Sequence, residues 1–427
     1  MNEQQKCRTE SPSLFSYLPD ELIPAILVRL PVRSLLRFKS VCKSWHSLIS
    51  DPKFGKSHYD LAAAPTHRCL TKGNDSEIES IDVDAASLHN SESCVVKLKF
   101  PLPPPRIRYW VHGPNLPSDV EFVGSCRGFV LVAYPQGDVF VWNPSTGEQR
   151  RIADDLDEMI DLYPIGFGYD RSADDYLLVL MQVIHLNFYD SYPDEVANVH
   201  TIIRLFSMKT NSWFDQEGTY AQYVDMGSAD LKIAAFLNDA LHWLVTSYET
   251  KLHVIIAFHL VQRNLTEIPL PQVLVTELKK KFWYSLRVIG ECLSLCYPGY
   301  PGIKDSTAEI WMMKDYKVQT SWTKLFVFST CNLPRNAIHP ICFTKHGELF
   351  CSYGSGGLMI ADDKGWHLLD ESTKWPEPHM VFDEDRECML PYGLYRESLL
   401  SLPNDFQQEN EDDQLMISLV ETSEDDK

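Results

Sequence analysis

Residues 139–149 read VFVWNPSTGEQ: four apolar residues ending in Trp142, a turn built on Asn143, Pro144 and Gly147, then a return to strand-like sequence. A short apolar run bounded by Asn-Pro and Gly fits a strand followed by a tight turn. The layout recurs downstream as IIRLFSMKTNSW (202–213), VIIAFHLVQRNLTEI (254–268), EIWMMKDYKVQTSW (309–322) and LMIADDKGWHLL (358–369). Taking Trp142, Phe206, Phe258, Trp311 and Ile360 as equivalent, the units lie 64, 52, 53 and 49 residues apart.

Around and between these units, the chain from about Val95 consists of short apolar runs separated by Gly, Pro, Asn and Asp, with no long amphipathic helix. That pattern predicts an all-β region over residues 95–403. A repeat near fifty residues with several strands per unit is the spacing of kelch-like propeller blades, and the length of the region accommodates about six. The aromatic content, 10 Trp, 19 Tyr and 20 Phe, suits strands.

Upstream the pattern changes to helix. Residues 17–60 fall into short pieces divided by prolines, with Leu22, Ile23, Ile26, Leu27 and Leu30 recurring at three- and four-residue steps behind Asp20, a candidate cap. Pro31 can open a second helix. Pro24 lies inside the first helix, close enough to its start that no break is required. Forty-odd residues carrying this many large aliphatics cannot bury them among themselves, which implies a partner. Residues 61–94, which include TKGNDSEIESIDVDAASLHNSES (71–93), are polar and acidic without a period, and read as a linker. Residues 1–16 read as a disordered N-terminus. Residues 404–427 read as a disordered tail, eight acids against one base lying between Gln407 and Lys427.

Acidic residues outnumber basic ones 59 to 39, for a net charge of −20, so a phosphate backbone would be repelled and nucleic acid is not an expected partner. No run of eighteen apolar residues is present and the N-terminus lacks the layout of a secretory signal; the expectation is no membrane span and a place in the cytoplasm and/or nucleus. Eleven scattered cysteines fit reduced thiols better than a disulfide framework.

The helical segment LPDELIPAILVRLPVRSLLRFKSVCKSWHSLISDPKF (18–54) resembles the F-box of plant proteins almost continuously. The β-region resembles the F-box-associated, kelch-like domain: GSCRGFVLV (124–132) is similar to that family's opening strand, VWNPSTGE (141–148) to its Trp-Asn-Pro turn, and YGLYRESLLSL (392–402) to its closing strand. The resemblance implies a small three-helix F-box followed by an all-β propeller. It also implies that the F-box binds a small acidic Skp-type adaptor, and through it cullin and RING subunits, by Leu18, Pro19, Leu22, Leu27, Leu30, Pro31, Leu35 and Leu36. Charge agrees, since residues 18–60 carry seven bases and four acids, a locally basic segment on an acidic chain.

Cys42 and His46 in KSVCKSWHSLIS (39–50) raise the question of a thiol–imidazole pair. Counting about 100° per residue from Cys42, Trp45 and Ile49 fall within about 60° of it and His46 lies at the margin, so the expected role is packing. The expected F-box core is Phe38, Val41, Cys42, Trp45, Leu48 and Ile49. Gly124-Ser125-Cys126-Arg127-Gly128 has the outline of a hydrolase elbow, yet the strand-like FVLVAY comes after it where an elbow needs a helix, so a β-turn is expected. Cys292 and Cys296 lie on one strand face without the further ligands zinc requires, and read as core thiols. Gly166-Phe167-Gly168 lacks the third glycine and the helix of a dinucleotide loop. The tryptophans at 142, 213, 243, 311, 322 and 366 recur with the repeat and read as blade core.

No catalytic residue, metal or cofactor is expected. The resemblance implies the substrate-recognition subunit of an SCF (Skp, cullin, F-box) ubiquitin ligase, with the propeller holding an unknown protein target. The rivals are a non-ligase F-box/kelch scaffold or binding protein, and a propeller enzyme. The polar stretch 186–200 is a candidate target loop.

Overall fold

The computed structural model of the chain describes residues 22–61, 66–72, 78–86, 94–98, 121–133, 139–152, 164–185, 199–216, 223–224, 233–247, 249–277, 284–297, 307–329, 338–353, 357–362, 365–368 and 392–403. Residues 1–16, the tail 404–427, Asp20 and most of the 186–200 stretch lie outside the described residues.

Four short helices come first: α1 (Leu22–Leu27), α2 (Val32–Phe38), α3 (Lys43–Ile49) and α4 (Pro52–Leu61). Pro24 sits within α1 without breaking it. Its carbonyl accepts the Val28 N–H at 2.9 Å, and the N–H it lacks belongs to the first described turn, where helix donors have no internal partner. The expectation of three helices is corrected to four. Asp51 Oδ1 accepts the Lys53 N–H at 2.8 Å and Pro52 supplies the first helical residue, so the sequence Asp-Pro starts α4 as it stops α3.

The remainder is mainly β-structure, with short helices at Val83–Ala86 and Gln272–Glu277. Three strands precede the repeat, β1 (His67–Lys72), β2 (Ile78–Asp82) and β3 (Val95–Leu98). The first blade is β4 (Glu121–Cys126), β5 (Phe129–Ala133), β6 (Val139–Trp142) and β7 (Gln149–Ile152). The second is β8 (Ile165–Asp170), β9 (Asp175–His185), β10 (Val199–Ser207) and β11 (Ser212–Gln216). The third comprises β12 (Tyr223–Val224), β13 (Ala235–Leu237), β14 (Ala240–Ser247), β15 (His253–His259) and β16 (Asn264–Ile268), with β12 and β13 pairing with different parts of β14. The fourth is β17 (Ser285–Ile289), β18 (Cys292–Tyr297), β19 (Thr307–Met313) and β20 (Trp322–Ser329). The fifth is β21 (Ile338–Phe343), β22 (Leu349–Tyr353), β23 (Gly357–Asp362) and β24 (Gly365–Leu368). The last strand, β25 (Tyr392–Arg396), returns to pair with β1 and completes a sixth sheet in the order β25-β1-β2-β3.

The fold is a six-bladed propeller of antiparallel sheets, as the fifty-residue period predicts. Trp142, Phe206, Phe258, Trp311 and Ile360, chosen as equivalent, all fall on the third strand of their blades. Both faces of the inner strands are buried, whereas outer strands such as β11 are largely exposed. On β9, Leu178 and Leu180 pack toward the first blade while Leu177, Val179 and Met181 pack toward the third. Hence the strands read as unbroken apolar runs rather than alternating ones. Between the second and third blades the approach is close: a Cβ on Gly168 would lie 2.5 Å from Leu260 Cδ1, so the Gly-Phe-Gly stretch is a packing device.

The expectation of a linker over 61–94 is corrected. Residues 67–72 and 78–82 are the second and third strands of the sixth blade, and β3 is its outer strand. Their polar look has a physical cause. Arg68 is buried, donating to Ser80 Oγ and the Ser80 carbonyl at 2.7 Å each, while Ser80 Oγ lies 2.9 Å from the Tyr395 hydroxyl. This blade adds a buried polar network, centred on Arg68, to the aliphatics Leu70, Ile78 and Ile81. The ring is therefore closed by joining three strands from one end of the chain to one from the other.

Candidate interaction surface

Leu27, Val28, Val32, Leu35, Ile49 and Phe54 form the core of the helical module. His58 on α4 reaches back to it, Nε2 lying 2.8 Å from the Leu30 carbonyl, and Phe38 meets Trp45 edge-on at 5.6 Å. Outside this core α1 presents Leu22 and Ile26, four residues apart on one side, at 48% and 46% exposure, and Val41 between α2 and α3 is 58% exposed. Arg29, Arg37, Lys43 and Lys53 are exposed on the same module. Aliphatic side chains left in water beside bases suit an acidic partner with an apolar groove.

The structure divides the residues carried over by resemblance. Leu18 and Pro19 lie outside the described residues; Leu22 and Pro31 are exposed, and Leu30 and Leu36 half-buried. Leu27 and Leu35, at 1% and 0% exposure, are corrected from contact residues to core. Ile26 was missed, although it shares the helical period. Among the expected core residues, Ile49 is buried and Phe38, Trp45 and Leu48 pack against the cluster, whereas Val41 and Cys42 are exposed. The reason is phase. Cys42 is extended, precedes α3 and caps it, its sulfur accepting the Trp45 N–H at 3.4 Å, so helical angles counted from Cys42 do not apply.

Helix α4 lies against the ends of the first two blades. The Arg127 guanidinium, in the turn between β4 and β5, stands 4.8 Å from the Tyr59 ring and 4.3 Å from the Tyr169 ring, and Arg396 stands 3.9 Å from Tyr59. Arg396 also donates to the Tyr59 carbonyl, and Lys56 pairs with Asp174 in the β8–β9 turn. The hydrogen bonds from Lys56 and Tyr169 hold the Asp174 carboxyl below the usual range, whereas burial pushes the Tyr59 phenol up.

After β25 the chain continues as a strap, residues 397–403, between the helices and the first blade. The WNPSTGEQR turn is its clamp. The buried Asn143 side chain donates to the Leu400 carbonyl at 3.0 Å, and its Oδ1 accepts the Ser145 N–H at 2.9 Å. Ser145 Oγ accepts the Ser398 N–H at 3.2 Å, Glu148 Oε1 accepts the Leu402 N–H at 2.9 Å, and Arg150 donates to the Pro403 carbonyl at 2.7 Å. Leu400 and Leu402 enter the core between the first and second blades, and Leu399 points the other way into the helical core.

The remaining sequence candidates resolve as structure. Arg127 and Gly128 have φ of 49° and 87° in a two-residue turn joining β4 to β5, as a type I′ hairpin requires, so no nucleophile elbow is formed. Cys296 is buried between the fourth and fifth blades with Cys292 at the edge of that core, and burial pushes the Cys296 thiol up to about 12. Trp142, Trp243 and Trp322 are buried and Trp213 and Trp311 half-buried in the blades; the Trp366 side chain lies outside the described residues. Among the described residues no group of three or more His, Cys, Asp or Glu is placed to hold a metal ion, and no helix is long and apolar enough to cross a membrane.

The surface has two ends. The β4–β5, β6–β7 and β8–β9 turns face the helical module, so antiparallel order puts the end of β9 and the start of β10, which flank 186–198, at the opposite end.

Comparison with known proteins agrees with this architecture. The family model described as the F-box domain matches residues 15–57, and that described as the F-box associated beta propeller domain matches residues 74–374. An F-box/kelch-repeat protein of Arabidopsis thaliana is 30% identical over 318 residues, covering 72% of this chain and 78% of its own length. The F-box protein CPR1 of Arabidopsis thaliana is 26% identical over 354 residues, covering 77% of each chain.

Proposed function

Because the chain belongs to the F-box proteins that carry an F-box-associated β-propeller, we propose that it is the substrate-recognition subunit of an SCF ubiquitin ligase. The F-box binds a Skp-type adaptor, which brings cullin and RING subunits; the propeller holds a protein target. The chain forms and breaks no bonds itself and contributes proximity, presenting target lysines to the conjugating enzyme. Its place of action is the cytoplasm and/or nucleus.

The observation that carries this reading is the exposed aliphatic side of α1, Leu22 and Ile26, on a basic module fixed against a propeller. Contact with the adaptor would use Leu22, Ile26, Leu30, Pro31 and Leu36, with affinity from the aliphatics and encounter aided by the bases. The target surface is assigned to the propeller end away from the helices, because the other end is partly covered by α4 and the strap.

The test is isolation of the tagged full chain from plant cells with the proteasome inhibited, beside a Leu22→Asp/Ile26→Asp variant. Adaptor, cullin and ubiquitin-conjugated neighbours with the wild type alone are expected. Adaptor without cullin would favour a scaffold role, and absence of the adaptor would overturn the reading.

A further inference from the structure

We propose that the strap, residues 397–403, is the last piece of the F-box, so that the adaptor-binding module is complete only after β25 has closed the propeller ring. Four observations converge on this. Leu399 is buried in the helical core beside Leu27, Leu35, Ile49 and Phe54, filling space that the helices leave open. A Cβ on Gly55 would lie 2.9 Å from the Leu399 carbonyl oxygen, so the α4 backbone rests directly on the strap. Glu397 accepts from Arg33 of α2 at 3.0 Å and lies 3.7 Å from Arg68 of β1, joining a helix to the sixth blade through one carboxylate. The strap itself is continuous with β25, the strand that closes the ring against β1.

The consequence is a coupling between the two ends of the receptor. When β25 is unpaired from β1, Leu399 is held only through the first-blade clamp on the strap, and the packing that completes the core of α1 to α4 is weakened. A chain whose propeller is open, and so unable to present a target surface, therefore has a weakened adaptor module as well. Linkage makes the effect mutual: an adaptor that favours the complete F-box must favour the closed ring by the same factor. The mutual part rests on the adaptor-binding reading above; the dependence of the helices on the strap does not.

Hydrogen exchange of the purified full chain tests this, comparing wild type, Leu399→Ser, truncation after Pro403 and truncation after Arg396. Expected are wild-type protection in the chain ending at Pro403, and at least tenfold faster exchange across α1–α4 in Leu399→Ser with β8–β11 unchanged. Truncation after Arg396 should match or exceed that loss; if it unfolds the whole chain, Leu399→Ser carries the test alone. Unchanged α1–α4 protection in Leu399→Ser overturns the proposal. A second arm adds purified Skp adaptor to wild type and follows the β25 and β1 amides. Slower exchange is expected; binding of the adaptor with no slowing overturns the coupling, whereas no binding counts against the function proposed above and leaves the first arm standing.

Discussion

Arg33 in α2 donates from Nε to Glu397 Oε1 at 3.0 Å across 364 positions of sequence, and the two side chains differ in exposure, half-open for Arg33 and closed for Glu397. Burial outweighs the two guanidinium groups and raises the Glu397 carboxyl, while the almost fully buried Arg68 depends on Glu397, Asp82, Ser80 and carbonyls for its charge. The unequal burial predicts unequal costs. Glu397→Ala, which leaves Arg68 short of a counter-charge, should cost about 3–5 kcal/mol, and Arg33→Ala about 1–2 kcal/mol, since Glu397 keeps Arg68. Denaturant unfolding of the two variants checks the order.

Exposure also separates two classes of leucine. Leu27→Ala and Leu35→Ala should each destabilise the helical module by about 2–5 kcal/mol. Leu22→Asp and Ile26→Asp should change stability by no more than about 0.5 kcal/mol, because both side chains are already in water. Thermal unfolding alongside adaptor titration distinguishes them, the second pair losing affinity without losing stability.

Cys42 changes role between sequence and structure, and the expected effect of replacing it changes too. As a cap, its thiol is a poor acceptor at 3.4 Å from the Trp45 N–H. Serine is among the preferred residues there, so Cys42→Ser should be neutral or stabilising by up to about 1 kcal/mol. A loss of stability would return the residue to the core. Angular counting went astray here because the helix begins one residue later than it assumed, and the extended backbone of Cys42 has no helical phase.

The same contrast runs through the fold. The blades were legible because each third strand is a short apolar run ending in a large residue and a turn, and because burial on both faces leaves little polar interruption. Of the sixth blade only the closing strand was legible, through the 392–402 motif; β1 and β2 were not, since Arg68 and Ser80 place polar side chains inside the blade and β1 pairs with a strand more than 300 residues away. The strap was visible only as the family's closing motif; nothing in SLLSLP says that Leu399 faces the helices while Leu400 and Leu402 face the blades.

His242 is fully buried, its Nδ1 3.0 Å from the Ala235 carbonyl and its Nε2 2.7 Å from the Tyr316 hydroxyl, and desolvation lowers it to about 4. A histidine whose folded pKa lies below its unfolded value binds fewer protons folded than unfolded. Its contribution is therefore full above about pH 6.5 and is lost as pH falls toward about 4, on the order of 3 kcal/mol in total. Glu148 and Glu397, raised by burial, act with the opposite sign. The measurement is thus the difference between wild type and His242→Gln, in which those carboxylates cancel. Wild type should lose stability relative to the variant between pH 6.5 and 4, and a flat difference would contradict the assignment.

The most direct test of the receptor role is reconstitution. Purified full chain, Skp adaptor and cullin–RING are mixed and resolved by size-exclusion chromatography, with Leu22→Asp/Ile26→Asp as the comparison. The account predicts that wild type co-elutes with adaptor and cullin in one complex and that the double variant, folded by thermal unfolding, elutes alone. Separate elution of the wild type, or equal assembly of both, would contradict it.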